Sequence, residues 1–328
     1  MITFWQQENN KLIHLEKEEL DLGKKTWIDA RSVTRDDIKI LEQEYHVSQE
    51  HILDILDQDE MSRIEPDDEY TLFIFRLPLF NPENDVTYLT IPLGIVLFSD
   101  KIITICWTDC EVLKDVSSNR IKNISIENFL TFILKIMSRT DSNFLRYLKE
   151  INRRTITIQG ELQMSVKNNE LIQLFNLEKS LEYFTTSLKS NQLLIEKLSK
   201  MKGIYLDEDQ KDFLEDIAID NRQAIEMTDI YSNILSGMMD AFASVISNNL
   251  NIVMKRLTVV SLVLNVPTLI VSFFGMNIQL PFANSGWIGT ICVSSICLVA
   301  TFLASLILKE KPVREKRKKK KKAKVKAI

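Results

Sequence analysis

From residue 257 to residue 308 the chain carries no charged side chain, and a polar group, Gly275-Met276-Asn277-Ile278-Gln279, interrupts this apolar window near its middle. A hydrocarbon core takes about 20 apolar residues per helical span. The window therefore predicts two spans, 252–274 and 287–308, joined by a loop over 275–286. Upstream the pattern changes twice. Residues 1–120 contain strand-like runs at 26–29, 70–78, 87–98 and 101–107, with turns at 81–85 and 99–100. Two helices lie between the first and second runs, one opening at Thr34 with Asp36 and Asp37 in its first turn, the next at Ser48. Residues 121–203 are rich in Leu, Ile, Glu and Lys, and apolar residues recur every three to four positions, as in Leu171, Leu174, Leu177, Leu181, Leu188 and Leu194. That spacing predicts two antiparallel helices, 125–165 and 168–201, with a break near 166–169 and a turn at 201–203. A third helix begins near Asp207 and meets no proline until Pro267. It is expected to run as a stalk over 204–251 straight into the first span. The fold class is an α+β domain, then a long stalk helix, then an all-α membrane module.

The first span has one face unlike the others. Alternating steps of four and three residues from Asp240 reach Ser244, Ser247, Asn251, Met254, Thr258, Ser261, Asn265, Thr268, Ser272 and Gly275, nearly all polar or small. A 3.5-residue repeat holds one face of a helix against a partner or an axis. Polar side chains at membrane depth face the protein interior or water. Any single Ser or Thr is also consistent with bonding back to its own helix or packing between spans. The whole stripe, with Asn265 at mid-membrane, predicts a pore lining, and several copies of the chain must then surround an axis.

Charge sets the orientation. The formal net charge is −4, yet residues 309–328 carry 12 Lys/Arg against two Glu, so the remainder is strongly acidic. A basic tail directly after a span is expected on the cytoplasmic side. Two spans then put both ends and the large N-terminal region in the cytoplasm and only 275–286 outside, in a multi-pass protein of the cell membrane. The Lys run is consistent with a solvated tail near anionic lipid or with a part in gating; no nucleic-acid partner is expected. The first 11 residues are too short and too polar for a signal peptide. Cys106, Cys110, Cys292 and Cys297 form no metal-ligand pattern, and His14, His46 and His51 are too scattered for a transition-metal site. No phosphate-binding glycine loop is present, and no enzymatic activity is expected.

The Gly275-Met276-Asn277 tripeptide closing the first of two C-terminal spans, the preceding segment 251–258 (NIVMKRLT), the long charged helical region upstream and the Lys-rich tail together resemble the CorA family of divalent-cation transporters. The resemblance covers the whole chain in outline. It implies a cytoplasmic domain with a sheet between helical layers, and a homopentamer. It implies that Asn277, repeated around the axis, makes a ring of amide oxygens at the outer mouth, with Gly275 letting the backbone turn and approach the axis and Met276 packing behind. It places a hydrophobic constriction at Met254 and Leu257, with Asn251 and Asp240 as polar and charged rings below it. It also implies cytoplasmic regulatory cation sites at subunit boundaries. Asp216, on the acidic face with Asp212, Glu215 and Asp220, falls where the family has a stalk ligand. Its partner comes from Glu65, Asp67, Asp68 and Glu69, among which Asp68 is taken.

The cation implied, both as cargo and as regulator, is Mg²⁺, with Co²⁺ and Ni²⁺ as further cargo. Mg²⁺ sheds its water reluctantly, and amide and backbone oxygens can hold the hydrated ion without trapping it. The loop departs from the family's pattern: residues 278–287 contain no acidic side chain, so electrostatic concentration of cations at this mouth is expected to be weak. Two other readings remain open. A zinc transporter of the same fold would place His or Cys along the path, and a non-conducting membrane-anchored sensor or scaffold would need no polar stripe.

Overall fold

The computed structural model describes residues 1–164, 168–201, 204–276 and 286–308. The chain forms two compact units, Met1–Ala241 and Phe242–Ile328. The first is built on a sheet of β1 (Ile2–Glu8), β2 (Lys11–Leu15), β3 (Thr26–Arg31), β4 (Arg63–Pro66), β5 (Thr71–Phe80), β6 (Tyr88–Leu97) and β7 (Lys101–Cys106). Their order is β2-β1-β3-β7-β6-β5-β4. Only β3 and β7 run parallel; every other pair is antiparallel. The helices are α1 (Arg35–Gln43), α2 (Gln49–Leu56), α3 (Glu111–Ser117), α4 (Phe129–Met164), α5 (Asn168–Lys200), α6 (Glu208–Phe274) and α7 (Gly286–Leu308).

Successive strand side chains point to opposite faces, and here both faces are apolar. Leu72 and Ile74 of β5, Val96 of β6 and Ile103 and Ile105 of β7 pack with Leu41 of α1 and Ile52 and Ile55 of α2. Phe73, Phe75 and Leu77 of β5 and Leu93 and Ile95 of β6 join a second core with Phe132, Ile133 and Ile136 of α4, Leu194 and Ile195 of α5, and Leu214 and Ile217 of α6. The sheet thus lies between helical layers. Burial on both faces explains why β5 and β6 read as continuous apolar runs rather than alternating ones.

Two local features fix how the layers meet. At Gly94 on β6, a Cβ would lie 2.2 Å from Ile55 Cδ1, 2.4 Å from Cγ1 and 2.8 Å from Cγ2. The missing side chain is what lets α2 sit this close to the sheet. Farther along the same strand pair, the buried Arg76 of β5 donates to Gln58 O (2.6 Å), Glu60 O (2.8 Å), Thr90 O (3.3 Å), Thr90 Oγ1 (2.8 Å) and Ser187 Oγ of α5 (3.1 Å). All five guanidinium N–H groups find a neutral oxygen. Burial pushes its pKa down, against the pull of Asp59, Asp57 and Glu60.

The sequence pattern assigned no element to the β1–β2 hairpin or to β4. Polar Gln6 occupies a buried position on β1, where its amide donates to Asp21 O and Thr26 Oγ1, both at 2.9 Å. That satisfied amide hides the alternation. The strand β4 is four residues long and pairs on one side only. The expected turn at 201–203 and break at 166–169 fall largely outside the described residues.

Candidate ion pathway and cytoplasmic acidic face

The helix α6 continues through Pro267 to Phe274, as the absence of earlier breakers implied. Both α6 and α7 contain windows long and apolar enough to cross a membrane. On α6 the predicted pore residues Ser247, Asn251, Met254, Leu257, Ser261, Asn265, Thr268 and Ser272 are all exposed. Met254 and Leu257 are each 59% exposed. Asp240, also exposed, belongs to the first unit.

Reduced exposure recurs on a different face of α6, at Val259, Val263, Val266, Ile270 and Phe274. At 3.6 residues per turn, its centre lies about 160° around the helix from the Met254–Asn265–Ser272 stripe. On α7 a matching stripe runs through buried Gly289 and partly covered Val293, Cys297, Ala300, Ala304 and Leu308. Pairing of the two helices along these stripes would account for both patterns. The polar stripe is therefore on the side of α6 turned away from α7.

Three of the stripe's hydroxyls bond back to their own helix. Thr258 Oγ1 donates to Met254 O at 2.9 Å, Ser261 Oγ to Leu257 O at 3.0 Å and Thr268 Oγ1 to Leu264 O at 2.9 Å. A hydroxyl that has given its proton to the backbone keeps its lone pairs outward. Such oxygens present acceptors, suited to the hydrogens of an ion's water shell.

The helix ends with Gly275 N–H bonded to Val271 O (3.0 Å) and Ser272 O (3.2 Å), and Met276 N–H to Phe273 O (3.4 Å). Gly275 does not adopt the left-handed conformation, and a Cβ there would meet only ordinary contacts, 3.4 Å to Val271 O. Within one chain, then, neither the turn nor a local clash requires glycine. Asn277 and the tail 309–328 lie outside the described residues.

The acidic candidates are on the first unit. Asp216 on α6 is exposed and has no ion pair among the described residues. In the group between β4 and β5, Arg63 pairs with Glu65 (3.2 Å), Asp54 (2.6 Å) and Glu60. His51 Nε2 lies 3.7 Å from Glu65. Asp68 is exposed, and its N–H donates to Asp67 Oδ1 at 2.6 Å. Glu65 is thus engaged, and Asp68 is left facing solvent. Among the described residues of one chain, no group of three or more His, Cys, Asp or Glu side chains is placed to hold a metal ion.

His51, which the sequence pattern gave no role, supports this acidic turn. Tyr70 Oη accepts from Ser48 N–H at 3.1 Å and lies 2.7 Å from His51 Nδ1. The two ring nitrogens of His51 thus face different partners, Nδ1 toward Tyr70 Oη and, at 3.9 Å, Asp67, and Nε2 toward Glu65. Tyr70, rather than the Ser48 side chain, satisfies the start of α2. Burial raises the Tyr70 pKa, with the nearby Asp67 and Glu65 acting in the same direction. Only tertiary structure joins residues 48, 51 and 70, so no local motif announced them.

The family described as CorA-like Mg²⁺ transporter proteins matches residues 23–310. The chain belongs to this family. It is 29% identical over 265 residues to the cobalt/magnesium transport protein CorA of Methanocaldococcus jannaschii, spanning 79% of this chain and 82% of that protein. The complete structure of the CorA magnesium transporter from the same organism superposes with a TM-score of 0.77 at 24% identity, covering 94% of this chain and 96% of that one. The ZntB cytoplasmic domain from Vibrio parahaemolyticus superposes with a TM-score of 0.57 at 13% identity, over 76% of this chain and 97% of that domain. At these identities the structures show a shared fold. As a CorA-like protein, the chain is one of a family of membrane transporters, with its two candidate spans at α6 and α7.

Proposed function

We propose that this chain is the subunit of a homopentameric, channel-like transporter that passes hydrated divalent cations, Mg²⁺ first and Co²⁺ and Ni²⁺ after it, under control of cytoplasmic Mg²⁺. The observation that carries the reading is the uncovered polar stripe of α6, about 160° from the face paired with α7. One helix cannot enclose a path, so copies bring their stripes to a common axis, with α7 outside. Along it, Ser247, Asn251, Ser261, Asn265, Thr268 and Ser272 offer oxygens to a water shell. Met254 and Leu257 form an apolar ring that gates by dewetting. Asn277 supplies amide oxygens at the outer mouth, where Gly275 lets backbones approach the axis. The name of the Methanocaldococcus jannaschii relative, a cobalt/magnesium transport protein, supports the same cargo.

Feedback is assigned to the acidic face. Exposed carboxylates suit a hard cation, and we assign Asp216 and Asp68, with Asp67 and Glu69 exposed beside Asp68. Because one chain gathers no complete ligand set among its described residues, a second copy must complete the site. Mg²⁺ bound there holds neighbouring subunits closed; on its loss the carboxylates repel. The cation acts only through tighter binding to the closed state. Both termini are then cytoplasmic. For zinc, nitrogen or sulfur ligands are expected along the path, but Cys297 lies on the α7 stripe that faces α6, opposite the polar stripe.

Single cysteines placed along α6 in a background without native cysteines test the reading. Positions 261, 265 and 268 should react with a membrane-impermeant thiol reagent, and positions 263, 266 and 270 should not. The reverse pattern, or uniform protection, would place the water path elsewhere.

A further inference from the structure

Among the buried polar atoms of the first unit that lack a partner are Asp141 Oδ2 and Asn221 Oδ1. The two belong to one contact. Asn221 Nδ2 of α6 donates to Asp141 Oδ1 of α4 at 3.3 Å, and both residues are 0% exposed. A buried acceptor left alone is destabilising, and more so if charged. Here a carboxylate oxygen and an amide oxygen would both be left alone, side by side across one helix pair.

No cation resolves this. The α4 arginines on either side are committed to α3: Arg139 to Asp115 at 2.5 Å and Arg146 to Glu111. No Lys, Arg or His of any packed element lies within ion-pair distance of Asp141 among the described residues. Its charged neighbour on α6 is another acid, Asp220. A proton resolves it completely. A carboxylic acid placed against a carboxamide donates from one oxygen to the amide C=O while the other oxygen accepts from the amide N–H. Both orphan oxygens are then satisfied, and no buried charge remains.

We propose that Asp141 and Asn221 form a buried proton-binding site that fastens α4 to α6. The same helix pair is joined further toward its N-terminal ends by Gln210 Nε2, which donates to Thr131 Oγ1 at 2.9 Å and Asn128 Oδ1 at 3.1 Å, and by Lys135 lying 4.5 Å over the Phe213 ring. The acid–amide pair lies about ten residues, roughly 15 Å, beyond the Gln210–Thr131 contact. It ties down the segment of α6 just past the acidic face. Burial, reinforced by Asp220, raises the Asp141 pKa well above the ordinary carboxylate value. Separation of α4 from α6 would expose the acid to water, where it releases its proton. Any rearrangement that parts these helices is thereby coupled to pH.

Infrared spectra of the full-length protein in nanodiscs test this directly. The wild type should show a protonated-carboxyl C=O band at neutral pH, with Mg²⁺ or with EDTA, and Asp141→Asn should lack it. Asn221→Ala, which removes the amide partner, should move the band to higher frequency. As a second readout, a folded-state pKa above the unfolded value stabilises the fold at low pH and loses that contribution as pH rises. The unfolding equilibrium of wild type relative to Asp141→Asn should therefore shift toward unfolding by about tenfold per pH unit above the unfolded-state pKa, until the folded acid titrates. Absence of an Asp141-dependent band at neutral pH would overturn the proposal. A band that disappears on adding Mg²⁺ would also overturn it, because the two oxygens would then be cation ligands. If Asp141→Asn does not assemble, the Asn221→Ala frequency shift decides, and an unmoved band refutes the pairing.

Discussion

Gly94→Ala is the sharpest probe of how α2 and the acidic turn are held. The new methyl would fall 2.2 Å from Ile55 Cδ1, 2.4 Å from Cγ1 and 2.8 Å from Cγ2. Cδ1 alone could swing away, but Cγ1 and Cγ2 both hang from Cβ, and a β-branched side chain has few χ1 options. Either Ile55 leaves its rotamer or α2 lifts from the sheet. Overpacking of this kind costs about 1–3 kcal/mol, and at roughly 2–4 °C per kcal/mol for a unit of this size the melting temperature falls visibly. Ile55→Ala alone opens a cavity at a fully buried site and costs about 2–5 kcal/mol. In the double variant the methyl introduced at position 94 occupies part of that cavity. Its destabilisation should be less than the sum of the single effects, with a coupling of about 0.5–3 kcal/mol. Because α2 carries His51 against Tyr70, Gly94→Ala should also weaken Mg²⁺ protection of the acidic face from protease. Thermal unfolding of the four proteins measures the cycle. An unchanged melting temperature for Gly94→Ala, or strict additivity in the double variant, would refute the packing argument.

Two further predictions concern gating. Met254→Asp or Leu257→Asp should give a leaky pore that conducts at high cytoplasmic Mg²⁺, since a charged ring stays wet; conduction no greater than wild type would put the gate elsewhere. Asp216→Lys should protect the stalk from limited proteolysis even in EDTA, whereas wild type should need millimolar-range Mg²⁺. Wild-type cleavage indifferent to Mg²⁺ would remove feedback, and a mutant identical to wild type would clear Asp216.

Much of this was legible in the sequence because the signals were local. The uncharged window marked two long apolar helical stretches, and α6 ends at Phe274. Thr34 opens α1 as expected, and it forms a capping box with Asp37. The Leu periodicity of α5 correctly marked its buried face at Leu174, Leu177, Leu181, Leu188 and Leu194. What escaped was polar and buried. Gln6, Arg76 and Asp141 look like surface residues in a sequence, and each is interior because partners far along the chain satisfy it or, at Asp141, because a proton would. The same limit applied to the acidic group. Its composition marked 65–69, but only the contacts of Arg63 and His51 separated engaged Glu65 from exposed Asp68.

The central claim is that this protein moves hydrated divalent cations along the α6 stripe and past the amide of Asn277. Purified protein in sealed liposomes with an internal cation indicator, given Mg²⁺, Co²⁺, Ni²⁺ and Zn²⁺ separately, tests it most directly. Uptake of Mg²⁺, with Co²⁺ and Ni²⁺ following and Zn²⁺ behind, abolished by Asn277→Ala in a correctly assembled oligomer, is the predicted result. Uptake of none of the four ions, uptake of Zn²⁺ alone, or normal uptake by Asn277→Ala would contradict it.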